Sequence, residues 1–259
     1  MTLRFFGTRG EITIRSRRHW RHTTTTIDSG RRRIMIDAGR DWGGRLGRLK
    51  PDALVITHAH PDHVDALRQG CPCPVYATFA TWRLIGAWPI RDRRLLRAWT
   101  TCRIQGTRIE AVPVAHSIRA PAVGYRITVG RQTIFYAPDV AALPQPDRAL
   151  AGVRLFVGDG AAITRPILRK RDGVLIGHAS IAMQLGWCRE HHIGRAVFTH
   201  CGSEIVRANH RQASAQVGTL GRERGVDAVL ASDGDIIHLS GRVSRGPGRQ
   251  RPSPTGSCP

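Results

Sequence analysis

Short apolar runs separated by polar turns mark most of this chain. Residues 53–56, Ala-Leu-Val-Ile, form one such run and predict a buried strand. Residues 64–68 follow with Val64 and Leu67 on one helical face, so a helix opens there. Further strands are predicted at 3–6, 23–27, 33–36, 74–77, 102–104, 107–114, 153–157, 196–199, 228–231 and 236–239. Residues 122–128 and 132–137 pattern as a hairpin around Gly130. Helices are predicted at 79–88, from Ser180 as N-cap to about 190, and at 209–224. Segment 91–99 has no clear period, and 165–172 reads as a basic loop. Strands in both halves with helices between them make this an α/β chain.

Composition narrows the classes. Hydrophobic residues make up 41% of 259, enough for a real core. No run approaches the roughly 18 apolar residues of a membrane span. The N-terminus begins with strand-like residues and shows no apolar signal region, so a cytoplasmic protein is expected. The six cysteines have no disulfide-framework spacing, and Cys71-Pro72-Cys73-Pro74 reads as loop. From residue 241 onward Arg, Pro, Gly and Ser dominate and cannot bury a core. A single domain over 1–240 and a disordered basic tail over 241–259 are therefore expected.

Formal net charge is +21, nearly all from arginine, with Lys50 and Lys170 the only lysines. Such a field favours polyanions or phosphorylated substrates, and arginine suits bidentate phosphate contacts. It does not separate RNA from a small phosphodiester. The run from Arg15 to His22 has two readings: a solvated basic loop, or a phosphate-gripping loop with Trp20 available to stack on a base.

The densest chemistry lies in His58-Ala59-His60-Pro61-Asp62-His63, between the strand at 53–56 and the helix after it. Open α/β folds place ligands at such strand-to-helix turns. His58 and His60 are two apart, so extended backbone points both the same way. Asp62 and His63 open the helix and can aim at a neighbouring point. Imidazole and carboxylate are good ligands for zinc and similar ions, and four ligands split two and two suggest two metals side by side. Asp139 follows an apolar strand, where a carboxylate is hard to explain unless it binds something.

The motif His58-x-His60-x-Asp62-His63 resembles the signature of the metallo-β-lactamase-fold hydrolases. The stretch from Gly177 to Gly202, with Gly177-His178-Ala179-Ser180, a helix and a strand ending Phe198-Thr199-His200, resembles the ribonuclease Z-like and cyclic-phosphodiesterase branch. Phe198 stands where that branch has Leu. The turn Gly7-Thr8-Arg9-Gly10 resembles a Gly-Thr-x-Gly turn that the branch places near the metals. The resemblance implies a four-layer αββα sandwich of two mixed sheets flanked by helices. It also implies His58, His60 and His116 on one metal, Asp62, His63 and His200 on a second, and Asp139 bridging both. Asp62 would also orient the nucleophile, and His178 would give a proton to the leaving oxygen. Asp37, in Asp37-Ala38-Gly39, is either an ordinary turn residue or a carboxylate supporting the metal site from behind. The cofactors implied are two divalent ions, zinc by the all-His/Asp ligation, with manganese also compatible. The iron-binding redox branch has Glu where His60 stands. A long tRNA-holding arm of the kind ribonuclease Z carries is absent from the sequence.

The activity this implies is hydrolysis of a phosphodiester, in nucleic acid or in a cyclic or small substrate, by a hydroxide shared between metals about 3.5–4 Å apart. A thioester or lactone hydrolase would use the same ligands. A nucleic-acid-binding protein with a vestigial site is the third reading. A homodimer is compatible with the resemblance, and His191, His192, His210 and His238 are expected to be structural or at the surface.

Overall fold

The computed structural model describes residues 1–239 and 243–244. The chain opens with strands β1 (Thr2–Gly7), β2 (Thr24–Ser29), β3 (Arg32–Ile36) and β4 (Ala53–Val55), then helix α1 (Pro61–Val64). Strand β5 (Val75–Thr78), helix α2 (Phe79–Ile85) and strand β6 (Arg93–Leu96) complete this half. The second half runs β7 (Thr101–Ile104), β8 (Thr107–Val114), β9 (Ala122–Val129), β10 (Gln132–Tyr136), α3 (Pro146–Leu150) and β11 (Leu155–Asp159). After these come β12 (Ile167–Arg171), β13 (Val174–His178), α4 (Ile181–Glu190), β14 (Arg195–Thr199), α5 (Ser203–Arg207) and α6 (His210–Arg222). Strands β15 (Asp227–Leu230), β16 (Ile236–His238) and β17 (Val243–Ser244) close the chain.

Two mixed sheets result, ordered β17-β16-β1-β2-β3-β4-β5-β6 and β15-β14-β11-β10-β9-β8-β7. Strands β12 and β13 form a separate two-stranded ribbon. Side-chain alternation along the strands explains the layering. Ile34 and Ile36 of β3 join Ile134, Tyr136, Leu155 and Val157 in a core between the sheets. Met35, between the first two, faces outward with Leu54, Ile56, Val64, Leu67 and Ile85. Phe135, Phe156 and Phe198 face the other way, against Leu185 of α4 and Val217 of α6. Three apolar interfaces thus separate four layers, the αββα sandwich expected. Each fully buried Phe or Ile contributes roughly 1.5–3 kcal/mol relative to exposure.

Cross-sheet hydrogen bonds fix the end where the site lies. The Val123 amide donates to the Thr57 carbonyl at 3.1 Å, and the Tyr125 hydroxyl donates to the Ile56 carbonyl. The expected N-cap at Ser180 is present: its hydroxyl accepts from the Met183 amide.

The structure corrects three local expectations. Segment 165–172 is not a loop, because Ile167–Arg171 pairs with β13 as a strand. Segment 91–99 contains the edge strand β6, whose pairing with β5 supplies what its aperiodic sequence lacked. The run from Arg15 to His22 is not uniformly solvated: His19 and His22 are buried, while Trp20 is 55% exposed. The tail expected over 241–259 lies outside the described residues, apart from β17.

Candidate metal centre

Six strand ends deliver the site. Asp37 follows β3, His58 lies just beyond β4, His116 just beyond β8 and Asp139 beyond β10, while His178 ends β13 and His200 follows β14. Asp62 and His63 come from α1, whose first helical residue is Pro61. Proline fits there because a first-turn N–H has no intrahelical partner to lose. The seven proposed ligands from the sequence and His178 therefore converge, although they span residues 58 to 200.

Four overlapping sets of donor atoms each lie within 4.8 Å of one another among the described residues. They are His58/His60/His116, His58/His63/Asp139, Asp62/His63/His200 and Asp139/Asp159/His178/His200. His58 Nε2 is 2.9 Å from His60 Nδ1, and His116 Nε2 is 3.3 Å from the same atom. Asp62 Oδ2 is 3.2 Å from His63 Nε2 and 3.1 Å from His200 Nε2. Asp139 spans both groups: Oδ2 is 3.0 Å from His63 Nε2, and Oδ1 is 3.2 Å from His200 Nε2 and 3.7 Å from His116 Nε2.

Hydrogen bonds behind the ring set which nitrogen faces inward. His63 Nδ1–H donates to Asp37 Oδ2 at 2.8 Å, so its Nε2 lone pair points at Asp62 and Asp139. His116 Nδ1–H donates to the Gly177 carbonyl at 3.0 Å, leaving Nε2 inward. His63 Nε2 and Asp139 Oδ2 are both buried without a hydrogen-bond partner. A buried cluster of unshared lone pairs is costly by itself and is what a cation satisfies. The residues fit divalent metal on this ground.

The electrostatics divide the imidazoles. Burial, then the neighbouring rings, pushes His58 well below the usual histidine range and His60 down to about 4. Burial also lowers His116. Burial pulls on His63 and His200 too, but the surrounding carboxylates outweigh it, raising His63 well above its usual value and His200 to about 10. Asp62 and Asp139 are held ionised against burial by His63 and His200. Neutral rings thus line one side and acid-paired rings the other, with Asp139 between them.

Two residues matter here that the sequence reading did not single out. Asp159 accepts from His178 Nδ1 at 2.7 Å and from the Val140 and Ala161 amides at 3.0 and 2.8 Å. It raises the His178 pKa against burial. Its signal was present, since Asp159 closes an apolar strand as Asp139 does. Thr57 is the second: its amide and hydroxyl both donate to Asp37 at 2.8 Å, pinning the carboxylate that holds His63.

Backbone shape supports the cluster. Asp37 and His200 have φ of 60° and 55°, left-handed values costing of order 1–3 kcal/mol outside glycine. Gly10 packs on the His200 ring, where a Cβ would lie 2.9 Å from Cε1. The Gly7-x-x-Gly10 turn therefore belongs at the site because only hydrogen fits there.

Comparison with known proteins agrees with this architecture. Residues 32–201 match the family described as the Beta-lactamase superfamily domain. No curated protein sequence matches significantly. Among solved structures, the metallo-beta-lactamase fold protein YhfI from Bacillus subtilis superposes with TM-score 0.70 at 16% identity, covering 91% of this chain and 98% of that one. A diphosphatase from the PhnP family gives TM-score 0.69 at 19% identity, covering 91% and 96%. Human tRNase Z, short form (ELAC1), gives 0.61 at 16%, covering 92% and 99%. With its two mixed sheets and a His/Asp cluster at the strand ends, the chain belongs to the beta-lactamase superfamily, in its metallo-β-lactamase fold.

Proposed function

We propose that this protein is a metal-dependent phosphodiesterase of the ribonuclease Z-like and cyclic-phosphodiesterase branch. His58, His60 and His116 would hold one divalent ion and Asp62, His63 and His200 a second, with Asp139 touching both. Zinc suits this ligation best, with manganese compatible. Two such ions supply Lewis acidity and a water of lowered pKa.

The chain's own residues supply the rest. Asp62, held by His63 and His200, would orient the attacking group and accept its proton at a carboxylate oxygen. His178 is the observation that carries the reading. It is 21% exposed on its side chain, its Nδ1–H is taken by Asp159, and its ring stacks on His200 at 5.5 Å. Nε2 is then the nitrogen left to deliver a proton. A raised histidine pKa keeps that proton available near neutral pH. A general acid of this kind matters most for an alkoxide leaving group, as in a phosphodiester, and least for a thiolate. The printed names of the similar diphosphatase and tRNase Z, and the charge of +21, support phosphate chemistry further.

Purified protein should contain divalent metal and hydrolyse bis(p-nitrophenyl) phosphate or a cyclic nucleotide, and His58→Ala should abolish this. Activity confined to a thioester or lactone refutes the substrate class. Phosphodiester hydrolysis undiminished in His58→Ala refutes the assigned centre.

A further inference from the structure

The β12–β13 ribbon stands outside both large sheets and is rooted in the site. Gly177 donates from its amide to the His116 carbonyl at 2.8 Å and accepts from His116 Nδ1, and the Ala179 amide donates to the Val140 carbonyl at 2.7 Å. At the far end Asp172 and Gly173, with φ of 50° and 77°, make a two-residue turn of the kind that matches ribbon twist. The ribbon is short and fixed at its base.

Its register pairs Ile167 with His178, Arg169 with Ile176 and Arg171 with Val174. Side chains alternate between faces, so these six share one face. Arg169 and Arg171 therefore follow His178 along the face that holds the proton donor, in steps of about 7 Å. That step is comparable with the advance from one phosphate to the next along a single strand. Arg169, Lys170 and Arg171 are all exposed. Among the described residues Arg169 and Lys170 have no hydrogen bond or ion pair, and Arg171 has only a 3.9 Å contact to Asp172, itself exposed. Ile167 and Val174, on the same face, are 54% and 47% exposed. Guanidinium groups interleaved with apolar side chains suit a polymer that alternates phosphates with flat, apolar base faces. A second copy of a chain with net charge +21 would be repelled from this face.

We propose that the β12–β13 ribbon is a docking strip for single-stranded nucleic acid, with the scissile phosphodiester at His178 and the following phosphates on Arg169 and Arg171. This rests on the phosphodiesterase reading, whose failure is distinguishable from its own. The test is fluorescence anisotropy of the full chain with a labelled oligothymidylate of about 12 nucleotides, over a salt series. Replacing Arg169, Lys170 and Arg171 together by Ser should lower the slope of log affinity against log salt by about 2, at about 0.7 per lost phosphate contact. Arg169→Lys with Arg171→Lys should restore the slope, which separates lost charge from a misfolded ribbon. Replacing Arg103, Arg108 and Arg131 by Ser, at the opposite end of the sheet, should leave it unchanged. An equal fall in both Ser triples, no fall in the ribbon triple, or ribbon-dependent binding of phosphatidylserine vesicles without oligonucleotide binding each overturns the proposal. If the parent hydrolyses no phosphodiester but the ribbon still sets the slope, the assigned activity falls and the strip stands.

Discussion

Asp37 is buried completely and touches no substrate-facing atom, yet Asp37→Asn should disable the centre. The carboxylate accepts three hydrogen bonds of 2.8 Å: the Thr57 amide on Oδ1, and the Thr57 hydroxyl and His63 Nδ1 on Oδ2. Removing it with alanine would orphan three donors, at about 1–3 kcal/mol each, a large share of the 5–15 kcal/mol that holds a domain together. Alanine would therefore report on folding alone. Asparagine tolerates the left-handed φ of 60° and keeps one oxygen for the Thr57 amide. Its NH2 can donate to the Thr57 hydroxyl but meets His63 Nδ1 as a donor. His63 must then accept at Nδ1 and carry its proton on Nε2, which removes the lone pair now facing Asp62 and Asp139. Loss of such a supporting bond typically weakens metal affinity by about 10–100-fold, or roughly 1.4–2.7 kcal/mol. Zinc competition with a metallochromic indicator reads the affinity, and thermal melting in excess chelator reads the metal-free fold. The expected outcome is a metal-free melting temperature within a few degrees of the parent, about 2–4 °C per kcal/mol at this size, with zinc affinity down at least tenfold. Parent-like zinc affinity in a folded Asp37→Asn protein would refute the claim that this carboxylate sets the His63 tautomer.

Two further outcomes follow from the same geometry. His178→Ala should lower kcat on a dinucleotide by about 10²–10⁴ but affect bis(p-nitrophenyl) phosphate far less, because p-nitrophenolate leaves without a proton; equal losses on both count against a general acid. Asp159→Asn should show the same leaving-group pattern more weakly, with little change in KM. Acid stability should depend on Asp41, whose carboxylate accepts from Arg9 at 2.9 Å, Arg15 at 3.0 Å and the His22 amide at 2.9 Å. Burial alone would raise its pKa, but the His22 contacts and Arg15 pull it below the ordinary carboxylate range. A depressed folded pKa contributes stability above the unfolded value of about 3.9 that is lost as pH falls. Melting temperature should therefore drop below about pH 4, and Asp41→Asn should flatten that drop while lowering stability at pH 7; an unchanged acid limb would show that other groups control it.

The sequence by itself determined the strand-to-helix turn that carries His58, His60, Asp62 and His63, because ligand type and spacing there are local. It determined most strands as well, since alternation in Ile34-Met35-Ile36 is the direct imprint of two apolar layers on one strand. Family resemblance extended this to His116, Asp139, His178 and His200. Only the tertiary structure decided what these residues touch. That Asp159 holds His178, that Thr57 and Asp37 set His63, and that Gly10 lies under His200 are contacts between segments up to 190 residues apart, which no window of sequence contains. The strand at Ile167–Arg171 was hidden for a related reason. Its pattern is basic rather than apolar, because the ribbon's register with β13 is held by backbone hydrogen bonds and a tight turn, with little burial to leave a mark on the residues.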